Sequence, residues 1–579
     1  MQILAIVGAG AWASYRFGLF RERVPRGTIS HEITHRSLTE TTIHISVTVI
    51  FSNTGRVVWS FAPERGNRTT IQLVRPIDLE DLESLQERVA AGESQTYQWP
   101  VLDDRSLARS LEVEPSDTQE INHEFVIGGG IAGLAAGVRL VQLGIKPIVV
   151  EKRPFLGGRA YSFIDSETGI EIDNGQHVFV GACDQFQQYI KDIGAWDQVR
   201  LEERLALPVL KNGRLSWLRA RKLPGLLANL SALLGYRHVG IRGKLWILWG
   251  LLSIRLTRLG PGSPHDNILF EDWLRDHGQN DETIRNFWNL IILPSLNDDI
   301  SVVSAYTGIM LFKIALLGPV GNPAMGVPLV GLSTLVGENA RNFIERHGGE
   351  IRTGVDVASL KIDDARISGV LAASGELIEA EAVVSAVPAT SLTPLLPGGT
   401  SESSGPDDFF TPAETIKTAP IVAVHIWYDR PVLRQKYMAV LDSPLQWVFN
   451  DTDLKSRDDG GGQHIVISLS GAWEWKDRSK QELRQIFTTE MARIFPDTQT
   501  ATITKFTVVK MLEATFRAVP GTQEARLSQR TPLPGLYLAG DWTDTGWPST
   551  MESAVRSGNL AAEYVAADIG TGNLNPSIP

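Results

Sequence analysis

The chain has 579 residues, a formal net charge of −11 at pH 7, 43% hydrophobic residues and 21% charged residues. This composition excludes a disordered chain and allows several domains with a large core, while the acidic balance argues against a general nucleic-acid binder. The single cysteine, Cys183, excludes a disulfide within the chain and is typical of a reducing compartment. We interpret it as a core residue rather than a nucleophile.

The first 122 residues are predicted to comprise a possible membrane anchor and a β-rich module. Residues 1–20 are largely apolar, and three arginines follow by position 26, which would leave the remainder cytoplasmic if the segment spans a membrane. Residues 1–26 are therefore a candidate anchor. In residues 27–122, alternating apolar positions such as Ile43, Ile45 and Val47 indicate strands of unknown role.

A strand–turn–helix–strand unit that begins at Phe125 predicts dinucleotide binding. Apolar runs at 125–127 and 147–150 are typical of buried strands, and residues 131–143 have a helical pattern. The glycines in G-x-G-x-x-G spacing are Gly128, Gly130 and Gly133. They permit a tight turn, close approach of a pyrophosphate and close packing of helix on strand. Glu151 ends the second strand, where it can accept a hydrogen bond from a ribose hydroxyl.

Two later segments extend this pattern. R-P-F-L-G-G-R at 153–159 ends in Arg159, whose guanidinium suits bidentate contact with a phosphate. Near the C-terminus, a predicted strand ends in Gly540 and Asp541, and a predicted helix begins near Met551. The start of that helix would offer N–H groups and positive dipole to a bound anion.

A basic segment lies between Leu205 and His265. It contains ten Lys or Arg residues and no Asp or Glu, with apolar runs and the tryptophans Trp217, Trp246 and Trp249 between them. Basic helices with tryptophan are typical of the membrane interface, so we expect peripheral contact with the cytoplasmic face of the cell membrane. The alternative is a helical cap over the substrate domain, with the basic residues in solvent.

These segments resemble the flavoprotein amine oxidase and carotenoid desaturase superfamily, in which the second glycine pair supports FAD rather than NAD. Within it, residues 124–567 resemble the hydroxysqualene dehydroxylases, or squalene-associated FAD-dependent desaturases. The motifs that carry the resemblance are GGRAYSF at 157–163, ETGIEIDNGQH at 167–177, DSPLQWVFN at 442–450 and LAGDWTDTGWPSTMESAVRSG at 538–558. One departure is Ser553, where many relatives carry glycine.

The resemblance implies an α/β fold, with a Rossmann-type FAD-binding domain, a discontinuous α+β substrate domain and the separate N-terminal β-rich module. The expected segments are FAD-binding at 123–185, 331–390 and 526–570, helical and membrane-facing substrate domain at 186–330, substrate-domain sheet at 391–525, and a tail at 571–579. The oligomeric state stays open.

The resemblance also implies the site residues. Those expected to bind FAD are Gly128, Gly130, Ala132, Gly133, Glu151, Lys152, Gly157, Gly158, Arg159, Gly175, Gln176, Val357, Gly540, Asp541, Met551 and Ala554. In this superfamily the segment around His177 lies against the flavin ring. His177 is therefore the first candidate proton donor and Asp173 the second, and for both the competing role is structural. No metal site is expected.

The family acts reductively on hydroxysqualene and gives squalene, in hopanoid or squalene synthesis. The implied substrate is therefore a hydrophobic isoprenoid. A carotenoid-type desaturase or an amine oxidase on the same fold is the first alternative, because fold alone does not fix the direction of hydride transfer. A membrane-tethered flavin-binding scaffold without turnover is the second.

Overall fold

The computed structural model describes residues 124–570, apart from 167–168, 224–225, 318–322, 397–408 and 458, and six strands nearer the N-terminus. The candidate anchor at 1–26 and the tail at 571–579 lie outside the described residues. The chain divides into two compact units, Met1–Asn122 and His123–Pro579. Each unit is described by itself.

The described part of the first unit consists of antiparallel strand pairs. The pairs are Gly27–Ser37 with Ile43–Asn53, Trp59–Phe61 with Leu111–Val113, and Arg68–Gln72 with Val101–Ser106. The longest pair contains Ile43, Ile45 and Val47, the alternating positions from which strands were predicted. The observed strands agree with a β-rich module.

A five-stranded parallel sheet, called the parallel sheet below, forms the centre of the nucleotide-binding half of the second unit. Its strands in spatial order are Glu350–Thr353, Pro147–Glu151, Glu124–Ile127, Val383–Ser385 and Leu536–Leu538. The sheet is assembled from three distant parts of the chain, and its apolar strands are buried, as parallel sheets require. A small antiparallel sheet, Val357–Asp363, Arg366–Ala372 and Leu377–Glu379, follows the first of these strands along the chain.

Helices Ile131–Gln142 and Met551–Asp568 pack against each other beside the parallel sheet. Gly558 permits a very close approach, because a Cβ atom there would lie 2.3 Å from the carbonyl oxygen of Ala132 and 2.8 Å from the nitrogen of Ala136. Helix Met551–Asp568 therefore packs directly on the backbone of helix Ile131–Gln142 at this point. Helix Asn339–Arg346, which continues from a π-helical turn at Ser333–Glu338, also contacts the first helix.

A seven-stranded mixed sheet, called the mixed sheet below, forms the other half of the second unit. Its strands in order are Arg214–Arg219, Ala206–Lys211, Tyr437–Val440, Trp447–Asn450, Gln463–Leu469, Thr418–Tyr428 and Ile503–Phe516. Helix Lys480–Ile494 covers one face, where Val422, Val424 and Ile426 are buried. Two minor sheets pair Ser162–Ile164 with Glu171–Asp173, and Met325–Pro328 with both Phe179–Val180 and Val199–Leu201.

The segment expected to be helical at 186–330 contributes a hairpin to the mixed sheet. Strands Ala206–Lys211 and Arg214–Arg219 are joined by Asn212 and Gly213, both at positive φ. Asn-Gly is a strong signal for a two-residue hairpin turn. The basic residues of the segment 205–265 that precede position 220 therefore lie on the two strands, whereas the helices of that segment begin after it.

The remaining helices cover the mixed sheet or connect the sheets. The helices are Asp184–Asp192, Leu226–Gly235, Ile241–Leu256, Phe270–Asp276, Asp281–Thr283 with its continuation through the π turn Ile284–Trp288 to Asn289–Leu296, Ala305–Phe312 with the π turn Lys313–Leu317, Thr411–Glu414, Asp451–Leu454 and Thr522–Ala525. The 3₁₀ turns are Trp196–Gln198, Pro264–Asn267, Ala389–Ser391, Thr393–Leu395 and Pro496–Gln499. Within the described parts of the chain, no helix has the length and apolar character that crossing a membrane requires.

Candidate active site

The first glycine loop closes tightly at the end of strand Glu124–Ile127. Gly128 has a φ of +109°, and a Cβ atom there would lie 2.9 Å from the carbonyl oxygen of Ala386. A Cβ atom on Gly133 would lie 1.9 Å from the carbonyl oxygen of Gly128. These positions require glycine, because the loop is in backbone contact with the helix that follows it and with Ala386, at the end of the adjacent strand Val383–Ser385.

The second glycine pair lies directly on the first loop. Gly157 donates its N–H to the carbonyl oxygen of Gly129 at 2.8 Å and forms a parallel bridge with Gly130. A Cβ atom on Gly158 would lie 2.8 Å from the Cα atom of Gly130. Two predicted phosphate-binding segments thus meet in one backbone-lined cradle.

Glu151 is buried at the edge of this cradle. Its carboxylate accepts the N–H of Gly129 at 2.7 Å and the N–H of Arg153 at 2.9 Å. Its carbonyl oxygen accepts the N–H of Val355, two residues before Val357. Glu151 and the backbone beside Val357, both expected to bind FAD, therefore lie close together. Lys152, the next residue, is exposed.

Arg159 and Asp541 form an ion pair between the second glycine pair and the C-terminal loop. Asp541 is buried and also accepts the hydroxyl of Ser549, while Arg159 donates a second hydrogen bond to the carbonyl oxygen of Ala514 at 3.2 Å. The sequence suggested phosphate contact for Arg159 and hydrogen-bond acceptance for Asp541. The structure adds that each is the partner of the other.

The start of helix Met551–Asp568 is fixed to the same loop. Thr550 caps the helix by accepting the N–H of Ser553, and Ser553 donates its hydroxyl to the carbonyl oxygen of Asp541 at 3.1 Å. Gly540 donates its N–H to the hydroxyl oxygen of Ser557 at 2.8 Å. Serine at 553, where relatives carry glycine, is thus accommodated by a hydrogen bond. Met551 and Ala554, both half-buried, lie in the first turn.

Asp173 has a structural set of partners. It is buried, pairs with Lys455 at 2.8 Å and accepts the N–H of Leu332 at 3.0 Å. Both of its carboxylate oxygens are therefore engaged, one by a cation and the other by a backbone N–H. These contacts favour the structural role over the catalytic one.

His177 lies in the adjoining segment, which faces the mixed sheet. A Cβ atom on Gly175 would lie 3.9 Å from the Cβ of Ala423, and Gln176 and His177 are half-buried. The Nδ1 atom of His177 lies 3.0 Å from the carbonyl oxygen of Gly175, so Nδ1 carries the proton in the neutral ring and Nε2 is an acceptor. Burial lowers the pKa of His177, against the raising effects of Gly175 and Asp173.

A buried polar cluster beside this segment was not anticipated. Asp451 lies 3.4 Å from Lys455, 2.6 Å from Arg457 and 3.1 Å from Nδ1 of His464. The Nε2 atom of His464 in turn lies 3.1 Å from Nδ1 of His425. Burial and, to a lesser extent, the neighbouring His464 lower the pKa of His425 to about 3. The spacing of Asp451 and Lys455 was a signal of pairing, whereas the histidines meet only across neighbouring strands.

The described residues fit a dinucleotide cofactor. The cradle at Gly130 and Gly158 offers backbone without side chains, Glu151 offers an acceptor, and the helices beginning at Ile131 and Met551 offer N–H groups. Residues 131–566 match the family described as flavin containing amine oxidoreductase.

The chain belongs to the flavin-containing amine oxidoreductase family. The chain is therefore a flavin-dependent oxidoreductase, and its cofactor is FAD. The cradle and the acid at Glu151 would hold the adenosine diphosphate portion, and the first turn of helix Met551–Asp568 would face the flavin.

Curated relatives of the chain include carotenoid desaturases. The chain is 28% identical to the 15-cis-phytoene desaturase of Capsicum annuum over 80% of each protein. It is 25% identical to the zeta-carotene desaturase of a Synechocystis strain, over 76% of this chain and 97% of the relative. Among solved structures, a putrescine oxidase shares the fold, with a TM-score of 0.60 and 16% identity over 77% of this chain and 99% of that one.

Replacing Glu151 with alanine is expected to weaken FAD binding at least tenfold. The variant loses the ribose acceptor and leaves the N–H groups of Gly129 and Arg153 without their carboxylate, a loss of about 1.5–3 kcal/mol for hydrogen bonds to a charged group. Titration of the apoprotein with FAD, followed by flavin fluorescence, measures the effect. Glu345→Ala, on an exposed helix end, is the control. Unchanged affinity in Glu151→Ala would remove Glu151 from the site.

Proposed function

We propose that this flavoenzyme transfers hydride to or from a long isoprenoid, and most specifically that it converts hydroxysqualene to squalene. The observation that carries the proposal is an exposed helix pair whose inner residues share one hydrophobic core with the mixed sheet. Helices Leu226–Gly235 and Ile241–Leu256 pack with their inner residues into the same core as sheet residues Val209, Phe449 and Val466. A lipophilic substrate fits this arrangement.

The helix Ile241–Leu256 has an unusual distribution of side chains. Its buried stripe consists of Gly243, Ile247, Gly250 and Ile254, and a Cβ atom on Gly250 would lie 2.9 Å from the ring of Trp288. Small residues thus bring the helix close to the protein. Eight bulky apolar side chains of the two helices, each 45–80% exposed, face outward: Leu227, Leu234, Ile241, Leu245, Trp246, Trp249, Leu252 and Leu256.

This outward face supports peripheral attachment to the cytoplasmic face of the cell membrane. An exposed apolar patch of this kind on a soluble surface marks an interaction site. The segment 205–265 also has ten basic residues and no acidic ones in a chain of net charge −11, so anionic headgroups match its charge. A membrane that dissolves the isoprenoid would then lie against the outer face of the helix pair, whose inner face packs towards the mixed sheet.

The proposed reaction replaces a carbon–oxygen bond with a carbon–hydrogen bond. Reduced FAD, when bound, supplies the hydride, and the substrate alcohol takes up one proton and leaves as water. The chain must keep the site dry and hold a proton near the leaving oxygen. Because Nδ1 of His177 is engaged with Gly175, its Nε2 atom is the position from which a protonated ring would donate.

The second candidate function is desaturation of a phytoene-type carotenoid. The names and 25–28% identities of the curated relatives favour it, whereas the motifs at 167–177, 442–450 and 538–558 favour hydroxysqualene. The two reactions differ in direction, because desaturation delivers hydride from the substrate to oxidised FAD. The apolar surroundings of the helix pair and the mixed sheet suit either substrate.

Anaerobic incubation of the reduced protein with hydroxysqualene is expected to give squalene and to reoxidise the flavin in a one-to-one ratio. Mass spectrometry of the extract and the flavin absorbance measure both quantities. The parallel reaction is the oxidised protein with phytoene and an electron acceptor. Desaturated products there, with hydroxysqualene untouched, would replace the first function with the second. Turnover of neither compound would overturn the isoprenoid proposal.

Replacing His177 with alanine is expected to leave FAD bound and to remove most conversion of hydroxysqualene. Burial lowers the pKa of His177 below 6.5, so the ring is neutral at pH 7 and becomes a donor at Nε2 only as the pH falls. Turnover of the wild type should therefore rise from pH 7 towards pH 5, and His177→Gln should lose this rise. His347→Ala is a matched control, since His347 makes the same Nδ1 contact with a carbonyl on an exposed helix end. An unchanged pH profile in His177→Gln would exclude His177 as the donor.

Replacing Ile241, Leu245 and Trp249 together with aspartate is expected to abolish binding to anionic vesicles. The full-length wild type should sediment with phosphatidylserine-containing vesicles at low salt and less so as salt rises, because headgroup attraction is screened. Leu512→Asp, at an equally exposed leucine on strand Ile503–Phe516, is the control. Vesicle binding by the triple variant equal to that of the wild type would overturn the assignment. If the wild type is a dimer and the triple variant is a monomer, the outward face would instead be a self-association face.

A further inference from the structure

Arg526 is a buried cation behind the flavin-side loop. Its side chain lies among residues of the segment 541–545, which links Asp541 to the approach to helix Met551–Asp568. The guanidinium donates to the carbonyl oxygens of Thr543 at 2.6 Å, Asp541 at 3.2 Å and Trp542 at 3.4 Å. Three consecutive carbonyl groups of the loop are therefore turned towards one charge.

The remaining partners of Arg526 are also neutral. Nη1 donates to the side-chain oxygen of Gln523 at 3.2 Å, and Nη2 lies 3.4 Å from the hydroxyl of Thr545. The guanidinium carbon lies 5.1 Å from the ring centre of Phe516. Among the described residues of 124–570, no carboxylate lies within 4 Å of the guanidinium nitrogens. Arg526 is thus solvated by dipoles and is not neutralised by an ion pair.

Burial lowers the pKa of Arg526 to about 10, against the raising effects of Asp544 and Asp541. The side chain therefore remains a cation at neutral pH. A buried charge without a partner ion is costly, and its field is screened less than that of a surface charge. The field extends through the loop whose two ends, Asp541 and the start of helix Met551–Asp568, are expected to contact FAD.

We propose that Arg526 is a positioning residue that also raises the reduction potential of the bound flavin, because its buried charge stabilises reduced, anionic FAD over oxidised FAD. The inference rests on FAD binding and not on the identity of the isoprenoid substrate. It holds for either direction of hydride transfer.

The test is the midpoint potential of the flavin in the full-length protein, measured by equilibration with reference dyes. Arg526→Gln should lower the affinity for reduced relative to oxidised FAD at least tenfold, which corresponds to a potential about 30 mV more negative for a two-electron couple. Arg526→Lys, which keeps the charge, should shift it less. Arg530→Gln is the control, because Arg530 is half-exposed and paired with Asp568. An unchanged potential in Arg526→Gln with FAD bound would overturn the proposal.

A second variant neutralises the charge and keeps the arginine. In Gln523→Glu, a carboxylate takes the place of the amide that accepts from Nη1, so Arg526 gains an ion-pair partner and keeps its bonds to the loop carbonyls, while the amide hydrogen bond from Gln523 to Asp544 is lost. The potential should again become more negative, with FAD retained. If Arg526→Gln fails to bind FAD, Gln523→Glu still tests whether the charge of Arg526 raises the reduction potential of the flavin. An unshifted potential in Gln523→Glu would contradict a role for the charge and leave Arg526 with a shape-fixing role alone. Product formation from hydroxysqualene does not enter either readout, so failure of the proposed substrate and failure of this inference are distinguishable.

Discussion

Backbone-to-backbone contact is the constraint on which the cofactor half of this protein depends. Gly133 on Gly128, Gly158 on Gly130 and Gly558 on Ala132 are three places where a single Cβ atom would lie under 3 Å from backbone atoms of the facing segment. The segments involved come from residues 128–133, 157–158 and 551–568, so one close-packed unit joins the two ends of the described domain. The phosphate-binding cradle is a consequence of this packing, because the same absence of side chains that lets the segments meet leaves N–H groups open to an anion.

Ion pairs then fix this cofactor half relative to the mixed sheet. Lys455 joins Asp173 beside the candidate donor segment, and Lys505 on the outer strand joins Asp165. The side chains of both pairs are at most 9% exposed. Pairs this deeply buried contribute little net stability, but removal of one partner leaves a buried charge at a cost of about 3–5 kcal/mol. The two pairs therefore tie Asp165 and Asp173, which precede His177 along the chain, to the substrate half.

The sequence predicts the cofactor half well, because its requirements are local. The first strand and the helix after its glycine loop lie within one residue of their expected ends, and the C-terminal helix begins at Met551, as expected. The substrate half is predicted less well. The expectation of a helical segment at 186–330 misses the hairpin at 206–219. Its Asn-Gly turn is the local signal for the hairpin, whereas the basic and apolar residues around it favour amphipathic helices. The cluster of Asp451, His464 and His425 could not be anticipated, because strand register alone brings the two histidines together.

Charge placement is unusual at two places in this protein. The chain as a whole is acidic, yet its basic residues between 205 and 265 are unopposed within that segment, and Arg526 is a buried cation with neutral partners. Neither arrangement adds to the stability of the fold, since surface charges of one sign repel and an unpaired buried charge is costly. Helix Ile241–Leu256 likewise buries glycines and exposes tryptophans, against the usual preference of folding. Departures of this kind from local stability concentrate where a protein meets something else. Here they occur at the outward helix pair, which we propose meets a lipid surface, and behind the flavin-side loop, where the cofactor would lie.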